Sequence, residues 1–345
     1  MLKENALLGT LPDGTQAKCY TLKSGPITAV VSDLGATLVK LFVPDRYGKT
    51  DDIVLGFDKP EQYIKSNTFF GATVGRYANR IAKGRFSLGE KTYQMDCNDG
   101  ENNLHSGFAF FKDRLWQVIR QEENFVTFGL HSPNGDQGFP GNADIQVTYA
   151  LEQGTTLRIS YDAICDRDTV FNFTNHSYFN LAGHQYPQKA MGQILAMPAR
   201  FFAVADGACI PTGELRSVEN TAMDFRIPKA VGQDIEKQEE PLLLQRGYDH
   251  SFEVFANPCA ILSDPDTGRT MAVSTDCPAV QLYSGNGINE KEGKDGISYG
   301  ERSGVCLETQ YYPDSLNKPQ WAQPVTPAGK RYRSETTLTF GIEGV

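Results

Sequence analysis

Five short segments of the sequence place polar side chains beside aromatic rings or turn-forming residues. They lie at positions 75–80, 103–107, 174–180, 247–252 and 307–310. Aromatic rings stack on the apolar faces of a pyranose, while His, Asn, Asp, Gln and Arg side chains form hydrogen bonds with its hydroxyl groups. The segments therefore favour a binding site for a neutral sugar. Their spacing alone does not decide which of these side chains would carry out chemistry.

The sequence lacks the patterns of several other kinds of site. The histidines, at positions 105, 131, 176, 184 and 250, form no H-E-x-x-H motif and no Cys/His cluster at metal-ligand spacing. The glycine-rich stretch at 71–76 lacks the lysine and the Ser or Thr of a phosphate-binding P-loop. A serine hydrolase would need a G-x-S-x-G turn between a strand and a helix, and the sequence has none in that context. We therefore predict neither a zinc site nor a nucleotide-binding loop.

Charge and cysteine content indicate where the protein works. The formal net charge is -9 and the pI is about 5.2, so the protein repels a nucleic-acid backbone and an anionic bilayer. No stretch approaches the ~18 apolar residues of a membrane span, and the first ten residues lack the apolar core of an export signal. The seven cysteines are scattered and form no C-x-x-C pair, which is typical of reduced thiols. We predict a cytoplasmic protein with no nucleic-acid or membrane partner.

The elements that must position these segments are predicted to be mostly β-strands. Apolar side chains alternate with polar ones at 126–130, 145–151, 157–163 and 336–342, the period of a half-buried antiparallel strand. Helical periodicity is limited to short stretches at 60–66 and 231–240, too little to cover a parallel sheet. No composition shift or linker marks a domain boundary. We predict an all-β protein in which residues 1–345 form a single large antiparallel β-sandwich with few short helices.

Longer motifs in the sequence resemble those of the aldose 1-epimerase family, also called the galactose mutarotases. The matching stretches occur in the family's order at 33–37, 55–57, 71–81, 135–141, 175–181, 281–286 and 307–317. The resemblance extends over nearly the whole chain. It implies a β-sandwich of the galactose mutarotase type with a sugar cleft on one sheet. It also implies a cofactor-free isomerase of hexose metabolism that interconverts the α and β anomers of free galactose or glucose.

The resemblance implies a role for individual residues of these motifs. The histidine of N-H-x-Y-F-N, His176, would be the general acid, and the glutamate of L-E-x-Q, Glu308, the general base. Opening a hemiacetal needs such a pair, because a base takes the proton of the C1 hydroxyl and an acid protonates the ring oxygen. The residues expected to contact the sugar are Asn79, Arg80, His105, Tyr178, Asp249 and Gln281. His250 is expected to point to the opposite face and to be structural, and His131 and His184 to be solvated.

Two alternative functions and one departure from the family pattern stay open at this point. A hexose-6-phosphate 1-epimerase would need an arginine cluster for the phosphate, for which Arg331 and Arg333 share a strand face. A non-catalytic carbohydrate-binding sandwich would need no acid–base pair. Many family members follow the Y-S-G-N motif with an aromatic or aliphatic pair, but this chain continues with Gly287 and a charged stretch to Glu292. We expect a different cleft wall there. The protein is expected to be a monomer or a homodimer.

Overall fold

The fold consists almost entirely of antiparallel strands in a computed structural model that describes residues 6–343. In chain order the strands are β1 Ala6–Thr10, β2 Gln16–Ser24, β3 Ile27–Ser32, β4 Thr37–Pro44, β5 Thr50–Asp52, β6 Thr73–Val74, β7 Arg80–Ile81, β8 Arg85–Leu88, β9 Lys91–Gln94, β10 Asn103–Leu104, β11 Gln117–Gln121, β12 Phe125–Ser132, β13 Ala143–Glu152, β14 Thr156–Cys165, β15 Thr169–Val170, β16 Thr174–Asn175, β17 Ile194–Ala196, β18 Phe201–Ala205, β19 Pro211–Ser217, β20 Lys229–Ala230, β21 Asp249–Glu253, β22 Ala260–Ser263, β23 Arg269–Thr275, β24 Ala279–Tyr283, β25 Cys306–Gln310, β26 Val325–Thr326 and β27 Arg331–Ile342. The α-helices are α1 Pro60–Lys65 and α2 Glu240–Gln245, and short 3₁₀ turns lie at Ala82–Gly84, Phe111–Asp113, Asp136–Gly138, Pro187–Gly192, Lys294–Gly296 and Ser315–Asn317.

Three large sheets contain most of the strands. The first sheet has the order β1-β2-β3-β4-β5, and the third sheet has the order β19-β18-β21-β24-β25. The second sheet has nine strands in the order β11-β12-β13-β14-β27-β23-β22-β17-β20. The remaining described strands form short pairs, β7 with β10, β8 with β9, β6 with β16, and β15 with β26. All of these strand pairs are antiparallel.

The alternating segments of the sequence form the centre of the nine-stranded sheet. They correspond to β12, β13, β14 and β27. Burial alternates residue by residue in β14 and β27, as the polar pattern predicts, whereas β12 and β13 also contain consecutive buried residues. Each of these strands buries one side chain in two against the opposite layer. The predicted antiparallel β-sandwich is therefore confirmed for the described residues.

The core lies between the nine-stranded sheet and the two five-stranded sheets. One hydrophobic cluster includes Val31 of β3, Val147 of β13, Phe252 of β21 and Leu338 of β27, all buried. Polar contacts cross the same layer, since the hydroxyl groups of Thr309 and Thr336 lie 2.5 Å apart. The first and third sheets thus cover one face of the second. A cleft can form where these two sheets meet.

The two predicted helices have different outcomes. The first is confirmed as α1, which begins with Pro60 in its first turn. The second prediction, at 231–240, is wrong, because residues 231–239 form turns and α2 begins only at Glu240. Gly232 donates its N–H to Met191 O, and Pro241 supplies the fixed φ that suits a first helical turn. No helix among residues 6–343 has the length and apolar character needed to cross a membrane.

Candidate active site

A segment between the two five-stranded sheets places His176. This linking segment, residues 174–180, contains β16 and continues as isolated bridges. The His176 N–H donates to Ala72 O at 2.9 Å, and the Gly71 N–H donates to His176 O at 3.0 Å. Further along, Phe179 pairs with Val54 beside the first sheet and with Val305 beside the third sheet. The backbone that carries His176 is therefore held from both sides at the junction of the sheets.

The register of the third sheet places the acidic groups beside His176. Asp249 of β21 lies opposite Tyr283 of β24, and Gln281 of β24 lies opposite Glu308 of β25. Directly opposed residues point to the same face of a sheet, and side chains two apart on one strand share that face. Asp249, Gln281, Tyr283, Cys306 and Glu308 therefore project on one side. The residues between them face the core.

A cavity of about 130 Å³ opens on this face. It is lined by Asn67, Phe69, Asn79, Arg80, Leu104, His105, His176, Tyr178, Asp249, Tyr283 and Glu308. Seven of the eight residues that the sequence singled out line it. Gln281 does not, since it lies behind Asp249 and donates from Nε2 to Asp249 Oδ1 at 2.6 Å. Sequence reasoning missed Phe69, just before the motif at 71–81, and Tyr283, which shares a face with Gln281.

His176 and Glu308 form a close pair in this cavity. His176 Nε2 lies 3.6 Å from Glu308 Oε2, and both side chains are buried. Glu308 Oε2 accepts no hydrogen bond from the part of the chain that the structure describes. Burial lowers the pKa of His176 to about 4, while burial and the nearby Asp249 charge raise the pKa of Glu308 well above its usual range. Burial therefore favours the proton of the pair on Glu308 rather than on His176.

Aromatic rings account for the apolar surroundings of the imidazole. The ring of Tyr178 lies nearly parallel to that of His176, with centroids 5.1 Å apart, and Phe69 lies on the same ring at 5.9 Å. Neither ring offers a charge to an imidazolium, and both exclude water from it. Burial therefore outweighs hydrogen bonding in the pKa of His176.

His105 is held in one tautomer by the backbone. The Asn79 N–H donates to His105 Nδ1 at 3.1 Å, so the ring proton of the neutral imidazole must be on Nε2. Burial lowers the pKa of His105 well below its usual value, and the neighbouring His176 and Arg80 lower it further. His105 is therefore a neutral hydrogen-bond donor at physiological pH. Such a group can bind an oxygen of a sugar without protonating it.

Arg80 and Asp249 form a charged side of the cavity. Arg80 donates from Nε to Asp99 Oδ2 at 2.8 Å, and its Nη1 lies 3.8 Å from Asp249 Oδ2. Burial lowers the pKa of Arg80, but the charges of Asp249 and Asp99 outweigh this effect and raise it. The guanidinium is thus a permanent cation whose orientation is fixed by two carboxylates. Asp249 in turn is oriented by the amide of Gln281.

A larger cavity adjoins the first one at Tyr178 and Tyr283. It measures about 650 Å³ and is bounded by residues 287–292, the stretch that departs from the family pattern. Two hydrogen bonds hold this wall in place. Ser66 donates to Glu290 Oε1 at 2.6 Å, and Gln62 donates to Glu292 O at 2.8 Å. The unusual stretch therefore does form one side of the cleft.

The remaining histidines lie outside the cavity. His250 points to the core face as expected, where its Nδ1 accepts the Asp249 N–H and its ring packs edge-on against Phe202. His131 is exposed beside Asp144, as expected. The expectation that His184 is solvated is wrong, because the ring is buried and its Nδ1 lies 2.8 Å from the Tyr299 hydroxyl. The loop that carries Tyr299 covers it, a contact across 115 positions that the local sequence does not reveal.

The fold also brings together three residue types that metals use as ligands. His176, Cys306 and Glu308 each offer a ligand atom, and these atoms lie within 4.8 Å of one another. The sequence search for metal motifs does not detect such a set, because the histidine comes from a different part of the chain. The absence of a required metal remains a prediction.

Comparison with known proteins agrees with the geometry of this cleft. Residues 18–339 match the family model described as aldose 1-epimerase. The chain is 38% identical over 335 residues to an aldose 1-epimerase of Haemophilus influenzae, covering 95% of this chain and 97% of that protein. It is 36% identical over 343 residues to a galactose mutarotase of Homo sapiens, covering 98% of each.

Solved structures of similar proteins have the same fold. A GalM/aldose epimerase homologue from C. elegans superposes with a TM-score of 0.85 at 30% identity, covering 94% of this chain and 99% of that one. A galactose 1-epimerase from Lactobacillus acidophilus gives a TM-score of 0.83 at 28% identity, with 96% of both chains covered. The family match extends over most of the sequence, and the relatives are matched over nearly their whole length. The chain therefore belongs to the aldose 1-epimerase family.

Proposed function

We propose that the protein is an isomerase that interconverts the α and β anomers of a free aldohexose such as galactose or glucose. The observation that carries this function is the contact between His176 and Glu308 inside one buried cavity. Ring opening of a hemiacetal needs a base and an acid on two neighbouring oxygens. A side-chain pair 3.6 Å apart can reach both. The identities of the relatives support the same reaction.

The reaction is a pair of proton transfers around the C1 carbon. Glu308 takes the proton of the C1 hydroxyl, the bond between C1 and the ring oxygen breaks, and His176 gives a proton to the ring oxygen. The open aldehyde rotates about the bond between C1 and C2. The steps then reverse, and closure on the other face of the carbonyl gives the opposite anomer. Each positioned group of this kind contributes about 100-fold to 10,000-fold in rate.

The single proton of the pair must move before ring opening. The reactive form has Glu308 as a carboxylate and His176 as an imidazolium, whereas burial favours the neutral form. The two differ by one proton transfer across 3.6 Å. Sugar hydroxyl groups that bond the carboxylate, together with the positive charge of Arg80, favour the reactive form. The neutral form is the one that ring opening produces, so it is ready for reclosure.

The other cavity residues would bind and orient the sugar. Arg80 and the neutral His105 are hydrogen-bond donors for oxygens that gain negative charge, an electrostatic role. Asp249 would accept from neighbouring hydroxyl groups, and Asn79 and Tyr178 complete the polar and aromatic lining. We assign Gln281 to the support of Asp249, because their hydrogen bond is 2.6 Å long and Gln281 does not line the cavity.

We also propose that the protein acts in the cytoplasm on small sugars, as a monomer or a homodimer, with neither nucleic acid nor a membrane as partner. All seven cysteines are free thiols, which suits a reducing compartment. The net charge of -9 disfavours polyanions. Arg331 and Arg333 are exposed and pair with Asp162 on β14, away from the cavity, which argues against a phosphate site there.

Polarimetry of freshly dissolved α-galactose and α-glucose tests the proposal. We expect His176→Gln and Glu308→Gln each to lose about 100-fold or more of kcat, since each removes one proton-transfer group. The exposed His131→Gln is the matched control and should keep the wild-type rate. A wild-type rate in Glu308→Gln would exclude our base. Faster turnover of the 6-phosphates than of the free sugars would change the assigned substrate class.

A further inference from the structure

The thiol of Cys306 contacts the Nδ1 nitrogen of His176, while Glu308 lies next to Nε2. Cys306 Sγ lies 3.7 Å from His176 Nδ1, whereas Glu308 Oε2 lies 3.6 Å from Nε2. All three side chains are buried. The two ring nitrogens therefore have different partners, both supplied by β25. Cys306 does not line the cavity and takes no part in the proton transfers to the sugar.

We propose that Cys306 is a positioning residue whose sulfur accepts the Nδ1–H of His176 and so keeps Nε2 as the nitrogen that exchanges a proton with the sugar. The effect on rate rests on the proposed function. The hydrogen bond itself does not, and it is measurable in the protein without substrate.

The direction of this hydrogen bond follows from the partner of Nε2. Nε2 faces Glu308 Oε2, which has no hydrogen-bond partner in the described chain, and the raised pKa of Glu308 favours the protonated carboxyl there. The imidazolium that gives its Nε2 proton to the ring oxygen becomes a neutral ring that keeps its proton on Nδ1, the nitrogen next to Cys306. In the imidazolium both nitrogens carry a proton. Nδ1 thus donates toward Cys306 in both states of the cycle, and the Nε2 proton is the one that moves.

A thiol is suited to this position because it stays neutral. Burial raises the pKa of Cys306 well above its usual value, and the charges of Glu308 and Asp249 raise it further. A carboxylate at this place would stabilise the imidazolium and make His176 a weaker acid. The sulfur is a weak, uncharged hydrogen-bond acceptor. It therefore favours the tautomer with the proton on Nδ1 without stabilising the imidazolium as a carboxylate would. The charged or titratable groups around the imidazole are Cys306, Glu308, His105, Arg80, Asp249, Tyr178 and Tyr283.

The tautomer of His176 can be measured by NMR on protein labelled with ¹⁵N-histidine. The His176→Gln variant assigns the signals, and the wild type without sugar at neutral pH should show Nδ1 protonated and Nε2 unprotonated. Cys306→Ala removes the acceptor, so we expect a mixture of tautomers and a loss of about tenfold in kcat with little change in KM, as for other residues that orient a histidine. Cys306→Ser keeps an acceptor and should restore the tautomer and most of kcat.

The matched control is Cys259→Ala, which removes another buried thiol that does not line the cavity and should change neither readout. An Nε2–H tautomer in the wild type would overturn the inference. The inference would also be overturned if Cys306→Ala kept both the tautomer and the kcat of the wild type. If Cys306→Ala fails to fold, Cys306→Ser still decides, because loss of the single tautomer there also contradicts the inference. A wild type that has the Nδ1–H tautomer but does not anomerise hexoses would support the hydrogen bond and overturn the proposed function.

Discussion

Burial of the Glu308 carboxyl affects both catalysis and the stability of the fold. Its pKa in the folded protein lies well above its usual range, because burial and the charge of Asp249 disfavour the ionised form. The folded state therefore retains a proton that the unfolded state has already released. The stabilising effect of this group is full below its unfolded pKa and is lost as the pH rises through its folded pKa. The raised pKa of Glu308 therefore makes the stability of the protein fall as the pH rises through that window.

We predict that Glu308→Gln increases the free energy of unfolding, and that the increase grows with pH. The side chain keeps its shape but has no proton to lose. Within the window between the two pKa values, the gain over the wild type should rise by up to about 1.4 kcal/mol per pH unit. Urea unfolding from about pH 5 to about pH 8 measures it. The exposed Glu219→Gln serves as control and should show no such slope. A constant difference between Glu308→Gln and the wild type would mean that the carboxyl is ionised in the fold.

The pH dependence of kcat/KM should report the pair rather than either residue. Only the singly protonated pair is active, and direct transfer between His176 and Glu308 makes its two forms interconvert. We predict a broad plateau around neutral pH. Its acid limb lies near the pKa of about 4 held by His176, and its alkaline limb lies at the raised pKa of Glu308. An alkaline limb at the ordinary histidine value, about 6.5, would show that burial does not invert the two pKa values.

Individual strands explain how much of this site the sequence could predict. The two-residue period of β24 and β25 puts Tyr283, Cys306 and Glu308 on one face, as alternation requires. Seven of the eight residues named from the motifs accordingly line one cavity. The linking segment was not predictable in the same way, because Asn175 is held by Gly71 across 104 positions. Local patterns contain no information on such contacts, which also explains the errors at His184 and at 231–240.

The loop that forms the cleft wall is attached to the first sheet by a buried ion pair. Lys294 donates from Nζ to Asp52 Oδ2 at 2.6 Å and to Val39 O at 2.8 Å, and both charged side chains are buried. Asp52 also accepts the Leu41 N–H through Oδ1. Removal of one member of such a pair leaves the other charge unpaired in the interior. The position of the wall at 287–292 therefore depends on a buried ion pair, whose attraction must offset the cost of removing both charges from water.

We predict that Lys294→Met destabilises the protein by about 3–5 kcal/mol, because the Asp52 charge is left without a partner. Adding Asp52→Asn removes that charge and keeps the acceptor for Leu41, so the double variant should be more stable than Lys294→Met alone. Urea unfolding of the wild type, Lys294→Met, Asp52→Asn and the double variant gives the coupling energy between the two side chains. The exposed pair Lys189 and Asp266 provides a matched control, for which the same substitutions should cost about 1 kcal/mol or less. A double variant no more stable than Lys294→Met would contradict this account.

The cleft lies at the junction of two sheets, so its integrity depends on the whole molecule. The linking segment pairs with residues next to the first and third sheets, and the main hydrophobic cluster includes residues from all three large sheets. Glu308 comes from the third sheet, while Phe69 follows the first. A single domain over the chain stays a prediction, and this continuity supports it. If the chain is a single domain, unfolding of either five-stranded sheet also disrupts the cavity.

The two tryptophans allow this cooperativity to be tested. Trp116 is buried next to Phe111 in the main cluster, with its backbone N–H donating to Asp33 O near the first sheet. Trp321 packs on Tyr312 against Ala203 and Ala279 of the third sheet.

In Trp116→Phe and Trp321→Phe, which each retain one tryptophan, we predict that the tryptophan fluorescence and far-UV CD transitions in urea coincide within each variant, as two-state unfolding requires. Galactose at ~100 times its Kd should add about 2.7 kcal/mol to both variants, because one binding site stabilises the whole folded state. The 6-phosphate of galactose is the control ligand and should add less. Separate fluorescence and CD midpoints in either variant, or a shift with galactose in only one, would show that the two sheets unfold as separate domains.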